Sequence, residues 1–131
     1  MARRPRILLA DDHPGILEKA TNLLQAEFEV VGRVTDGKAA IDAVFELQPD
    51  LVVLDITMPE LDGFGAAREL RRRGSPTKVV FLTMQQDQDY VAEAMESGGV
   101  GYVLKSRMYS DLVYAIAQAL SGCKFVSPTT A

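Results

Sequence analysis

Residues 51–60, "LVVLDITMPE", decide the fold. Leu51, Val52, Val53 and Leu54 form an unbroken apolar run, which suits a strand covered on both faces better than one with a wet side. The run ends on Asp55, and Pro59 soon after marks the stop of the strand. A carboxylate thus stands at the tip of a segment that otherwise reads as core, and its purpose has to be found elsewhere in the chain.

Four more short apolar runs flank this one: "RILLA" at 6–10, "EVVGRV" at 29–34, "KVVFLT" at 78–83 and "GYVLK" at 101–105. Segments of helical period lie between and after them. Their apolar stripes are Ile16, Leu17, Ala20, Leu23 and Leu24; Ala40, Ile41, Val44 and Leu47; Phe64, Ala67 and Leu70; Val91, Ala94 and Met95; and Leu112, Val113, Ile116, Ala119 and Leu120. Pro14 falls where a first helical turn begins, and Asp36 and Ser110 stand where they can cap the second and last helices. Gly74 and Gly98 fall where the third and fourth helices should stop. A strand-helix alternation repeated five times, with right-handed crossovers, predicts a doubly wound α/β sandwich around a five-stranded parallel sheet. A flavodoxin-like strand order of 2-1-3-4-5 places the first and third strands side by side where the winding reverses. Residues 124–131, "KFVSPTTA", read as a tail.

The totals agree with one such domain. A chain of 131 residues, 47% hydrophobic and 24% charged, suffices for a real core. The net charge of −4 argues against nucleic-acid binding by this chain, because phosphate contacts need a basic surface. The small clusters Arg3, Arg4, Arg6 and Arg71, Arg72, Arg73 read as solvated faces or helix ends. A single cysteine, Cys123, makes no internal disulfide or metal cage and suits a reducing compartment. The apolar stretch "ILLA" is too short for a signal peptide or membrane span, so a cytoplasmic location is expected.

All strands of a parallel sheet end on one edge, and functional crevices of open α/β sheets lie there. The residues at these ends are Asp11 and Asp12 on the first strand, Asp55 on the third, Thr83 on the fourth and Lys105 on the fifth; Asp36 lies just beyond the second. Three converging carboxylates repel one another unless a hard dication sits among them, and Mg²⁺ takes such oxygens. With the Lys105 ammonium and the Thr83 hydroxyl, the set can neutralise phosphoryl oxygens around a carboxylate nucleophile, for which Asp55 is the best placed.

In order and spacing, "LLADDHP", "DLVVLDITMPELDGFG", "VVFLT" and "GYVLK" resemble the motifs of response-regulator receiver domains across residues 6–121. "ADDHP", "GYVLKS" and "FVSP" look most like receivers of transcriptional regulators of the LuxR/NarL/FixJ type. The resemblance implies that Asp55 accepts a phosphoryl group from a sensor histidine kinase. It implies Mg²⁺ held by Asp12 and Asp55 side chains and the Thr57 backbone carbonyl, with Asp11 acting through a metal-bound water. Thr83 and Tyr102 would be switch residues, and Thr57, Met84 and Gln85 would border the attacking water and tune phosphoryl lifetime. Residues 1–123 would be the receiver, and 124–131 the tail or the start of a linker to an absent helix-turn-helix domain that alone contacts DNA. A homodimer is compatible with this reading. The chain would catalyse only its own phosphorylation and dephosphorylation. In two places it departs from the common pattern: Ser106 follows Lys105 where many receivers have proline, and Met84 stands where a small residue is frequent.

Each residue also has a plainer reading. Asp12 suits a helix cap, Asp55 a turn, Thr83 an ordinary strand position, Lys105 a solvated surface and Tyr102 plain core. His13 reads as a loop or cap residue and, with no second histidine, as a poor metal site. The plain readings lose because they must hold jointly on one sheet edge. Among rivals, a haloacid dehalogenase-like phosphohydrolase needs a second acid two residues after the nucleophile, where Thr57 stands. A nucleotide-binding domain needs a glycine-rich turn that "ADDHPG" does not provide. A receiver unable to accept phosphate is opposed by the intact acids, Thr83 and Lys105. A stand-alone receiver signalling by protein docking remains the alternative for output.

Overall fold

A computed structural model describes residues 3–128. The elements run β1 (Arg6–Ala10), α1 (Pro14–Leu24), β2 (Glu29–Val34), α2 (Gly37–Leu47), β3 (Leu51–Leu54), α3 (Gly63–Arg72), β4 (Lys78–Thr83), α4 (Gln88–Glu96), β5 (Gly101–Leu104), α5 (Met108–Leu120) and β6 (Phe125–Val126). All strands pair in parallel, in the order β2-β1-β3-β4-β5-β6. The expected order 2-1-3-4-5 is therefore present, extended by one short strand. Among the described residues no helix is long and apolar enough to cross a membrane.

Alternation along the strands divides the core. Leu8, Val52, Leu54, Val79, Phe81 and Tyr102 face α2, α3 and α4; Ile7, Leu9, Leu51, Val53, Val80 and Val103 face α1 and α5. Both sides of β3 are buried, which is why its sequence shows no period. The helix starts follow local chemistry. The Asp36 carboxylate accepts the Ala39 amide at 2.7 Å, and the Asp62 carboxylate accepts that of Gly65 at 2.8 Å. Pro14 occupies the first turn of α1. Gly74 and Gly98, with φ of 73° and 111°, stand just past α3 and α4.

Two expectations are corrected. Ser110 does not cap the last helix. A 3-10 turn at Lys105–Arg107 leads directly into α5 at Met108, whose side chain is buried, so Ser110 lies inside the first turn. Its hydroxyl donates to the Arg107 carbonyl and to Asp111 Oδ1. Nor is 124–131 wholly a tail. Phe125 and Val126 pair with Gly101 and Tyr102, and the Ser127 amide donates to the Tyr102 carbonyl at 2.8 Å. Residues 129–131 lie outside the described residues.

Ser127 fastens this strand. Its buried hydroxyl donates to Asp111 Oδ2 at 2.7 Å and accepts the Leu104 amide at 3.2 Å. Burial alone would raise the Asp111 pKa, but hydrogen bonds from Arg107, Ser127 and Ser110 hold it below its ordinary 3.8. Its contribution is therefore complete above the ordinary carboxylate value and is lost as pH falls through the lowered one. Ser127→Ala leaves a buried charged acceptor one donor short. We expect a loss of about 1–2 kcal/mol in urea unfolding at neutral pH, with faster hydrogen exchange at the amides of positions 125 and 127. Unchanged exchange there would show that β6 does not depend on this hydroxyl.

Candidate functional site

The sheet ladder runs one residue past the strands and fixes two acids. The Asp11 amide donates to the Val34 carbonyl at 3.0 Å, and the Asp55 amide to that of Ala10 at 2.9 Å. Because β1 and β3 are neighbours, both carboxylates meet above the same edge, each residue only 3% exposed. Behind Asp55 the chain turns tightly into α3. The Gly63 amide donates to the Ile56 carbonyl at 2.7 Å, and a Cβ on Gly63 would collide with the Asp55 carbonyl oxygen. Glycine thus permits the close approach that presents Asp55.

Lys105 enters from the end of β5. Its buried ammonium lies 2.9 Å from Asp11 Oδ2 and 3.2 Å from Asp55 Oδ2. The Asp55 pKa is nevertheless raised. Burial acts most strongly, followed by the Asp11 charge; Lys105 and the Thr57 amide oppose them. Asp12 is more open, with its side chain 35% exposed.

Thr83 ends β4 and is buried. Its Oγ1 accepts the Gln85 amide at 3.1 Å, while the Tyr102 hydroxyl donates to the Gln85 carbonyl at 2.7 Å. Two sequence-predicted residues therefore bind the same loop residue, Thr83 at its amide and Tyr102 at its carbonyl. Burial, then the nearby Tyr90 and Asp87, push the Tyr102 phenol up to about 12, so it remains a donor at neutral pH. Thr57 is exposed just beyond Asp55, and Met84 is exposed at the mouth of a hollow of about 320 Å³, lined also by His13, Ile16, Gln86, Lys105 and Ser106. A larger open hollow at Arg3, Arg4 and Arg6 lies at the start of β1, away from these acids.

One donor was not anticipated. His13 stands at the N-cap of α1, but its side chain caps nothing. Its Nδ1 lies 3.0 Å from Asp11 Oδ1, 3.2 Å from Asp12 Oδ1 and 3.9 Å from Asp55 Oδ2. The available signal was its place directly after two strand-end acids. Asp11, Asp12, His13 and Asp55 can each offer one ligand atom, all within 4.8 Å of one another. Asp11 Oδ2 is buried without a hydrogen-bond partner, although it faces Lys105. Three carboxylates against one buried ammonium, with mainly oxygen donors, fit a hard dication such as Mg²⁺.

The family model for the response regulator receiver domain matches residues 7–117. The chain is 33% identical over 125 residues to the transcriptional regulatory protein DegU of Brevibacillus brevis, covering 94% of this chain and 53% of that protein. It spans roughly half to three-fifths of the curated relatives it matches. A two-component response regulator of the LuxR family from Aurantimonas sp. SI85-9A1 superposes with a TM-score of 0.91 at 35% identity, covering 95% of this chain and 91% of that one. The isolated REC domain of RcsB from Salmonella enterica serovar Typhimurium, determined in the presence of the phosphomimetic BeF₃⁻, gives 0.86 at 26% identity, covering 95% and 94%.

Proposed function

Because this chain belongs to the response regulator receiver domain family, signalling domains that sensor histidine kinases phosphorylate, we propose that it is a Mg²⁺-dependent switch with Asp55 as phosphoacceptor. The observation that carries this reading is the buried Asp55 carboxylate, held at a strand tip between the Asp11 carboxylate and the Lys105 ammonium. An Asp55 oxygen attacks the phosphorus of a kinase phosphohistidine; the new O–P bond forms as the P–N bond breaks, and the departing imidazole takes up a proton. Asp12, Asp55 and the Thr57 carbonyl would hold Mg²⁺, with Asp11 reaching it through water. Bound there, the ion supplies positive charge to the phosphoryl oxygens. Lys105 supplies further compensation and Thr83 a hydroxyl.

The added charge, close to −2, pulls Thr83 toward it, and Thr83 then releases the Gln85 amide. Tyr102, bonded to the Gln85 carbonyl, is freed to change rotamer, and the surface from α4 through β5 to α5 changes with it. Thr57, Met84 and Gln85 border the route of hydrolytic water. Neither Thr57 nor Gln85 is a strong general base, which favours slow to moderate hydrolysis. The output is transcriptional, in the cytoplasm, through a DNA-binding domain beyond this acidic chain. The names and greater lengths of the curated relatives support that part.

Titration with beryllofluoride and Mg²⁺, followed by amide NMR, tests the switch. Shifts are expected at Thr83, Gln85, Tyr102 and along α4. Thr83→Ala should still bind the mimic but show roughly half the response or less at Tyr102, because the grip on Gln85 no longer depends on the phosphoryl site. An undiminished response in that variant would refute transmission through Thr83.

A further inference from the structure

We propose that Ser127, with Asp111 behind it, is a positioning residue for the Lys105 ammonium, so that docking of β6 controls how fast Asp55 is phosphorylated; the inference rests on Asp55 being the acceptor. Lys105 reaches its acids from a backbone that no proline stiffens, since Leu104 precedes it and an exposed Ser106 follows. The hold on that backbone has to come from packing and hydrogen bonds.

β6 supplies such a hold. The strand ends at Val126, and Pro128 has no amide to add a further rung to the sheet. In place of that rung stands the Ser127 hydroxyl, on a residue only 1% exposed. It accepts the amide of Leu104, the last residue of β5 and the one before Lys105, at 3.2 Å. The same hydroxyl donates to Asp111 Oδ2 at 2.7 Å. Asp111 is held in turn by Arg107, whose Nε donates to Oδ2 at 2.8 Å. Arg107 ends the 3-10 turn that Lys105 begins, and the Met108 amide donates to the Lys105 carbonyl. A closed ring thus runs from Leu104 through Ser127, Asp111 and Arg107 back along the turn, and Lys105 is the member that reaches the site. Its ammonium lies 2.9 Å from Asp11 Oδ2 and 3.2 Å from Asp55 Oδ2. Without the Ser127 hydroxyl the buried Leu104 amide loses its acceptor and Asp111 loses a donor. The backbone under Lys105 then relaxes, and a charge that was fixed before the reaction has to be ordered during it. Binding at the phosphoryl site and docking of β6 therefore favour each other by one common factor.

Two measurements test this. Ser127→Ala, treated with acetyl phosphate well below its unfolding transition, should label Asp55 about fivefold or more slowly at saturating phosphodonor, with the half-saturating Mg²⁺ concentration within about twofold of the parent's. Thr77→Val is the control. It removes a hydroxyl bond to the Pro49 carbonyl at the edge where β3 and β4 begin, and it should label like the parent. A parent-like rate in Ser127→Ala, or equal slowing in both variants, overturns the assignment. The second measurement needs no variant and stands even if Ser127→Ala does not fold. Beryllofluoride with Mg²⁺ should slow hydrogen exchange of the parent at the amides of positions 125 and 127 by about fivefold or more. Unchanged exchange there, or equal slowing along the other edge strand, Glu29–Val34, overturns the coupling. A parent that takes no label at Asp55 removes the acceptor reading and this inference with it; a parent that labels while Ser127→Ala matches it removes this inference alone.

Discussion

Asp55→Asn is expected to lose Mg²⁺-dependent phosphoryl incorporation from acetyl phosphate entirely, and yet to make the metal-free protein more stable. The two effects have one cause. Asp55 is buried beside Asp11, and its pKa is raised even with Lys105 at 3.2 Å. Its ionised form is therefore worse off in the folded state than in the unfolded one. Below the ordinary carboxylate value of 3.8 the acid is neutral in both states and costs nothing. As pH rises through the raised folded pKa, the folded state gives up a proton it holds more tightly than the unfolded chain does, and stability declines. Asparagine keeps the shape and cannot ionise. We expect a gain of about 1 kcal/mol at neutral pH, a few degrees in melting temperature, vanishing below the carboxylate range. Thermal unfolding of parent and variant across pH measures it. A variant destabilised at neutral pH would mean that the carboxylate is a structural group and not a strained acceptor.

Lys105→Ala should act in the opposite direction on stability. Its ammonium is buried and opposes both Asp11 and Asp55. Removing one partner of a buried ion pair leaves the other uncompensated, and a loss of about 3 kcal/mol is expected in metal-free unfolding. Saturating Mg²⁺ should recover part of that loss by binding the folded state. Phosphorylation should slow by about 10²-fold or more even when the variant is folded, since a preorganised positive charge at the phosphoryl oxygens is gone. If Lys105→Ala proves as stable as the parent without metal, the ammonium is not balancing these acids.

Much of this arrangement is legible in the sequence. The unbroken run Leu51–Leu54 implies burial on both faces, and one side of β3 faces α2, α3 and α4 while the other faces α1 and α5. Asp36 caps α2 because side-chain capping is a local interaction, complete within three residues. Asp11, Asp12, Asp55 and Lys105 gather on one edge because parallel topology brings every strand end there, and Thr83 ends β4 on that edge. The misreadings concern interactions that local pattern cannot encode. Phe125 and Val126 carry too short an apolar run to announce a strand; pairing with β5 and the Ser127–Asp111 bond hold them. Ser110 has the chemistry of a cap, but burial of Met108 and the preceding 3-10 turn start α5 earlier. His13 occupies a cap position, yet the carboxylates around its ring determine where it points.

Tandem mass spectrometry distinguishes Asp55 as the phosphoryl acceptor from every other residue. The full chain, treated with acetyl phosphate and Mg²⁺ and then reduced with borohydride to trap an acyl phosphate, should carry one modification, at Asp55, and chelation of Mg²⁺ should abolish it. Label that persists without the metal, or that maps to His13, Asp12 or any other residue, would rule out Asp55 as the Mg²⁺-dependent acceptor.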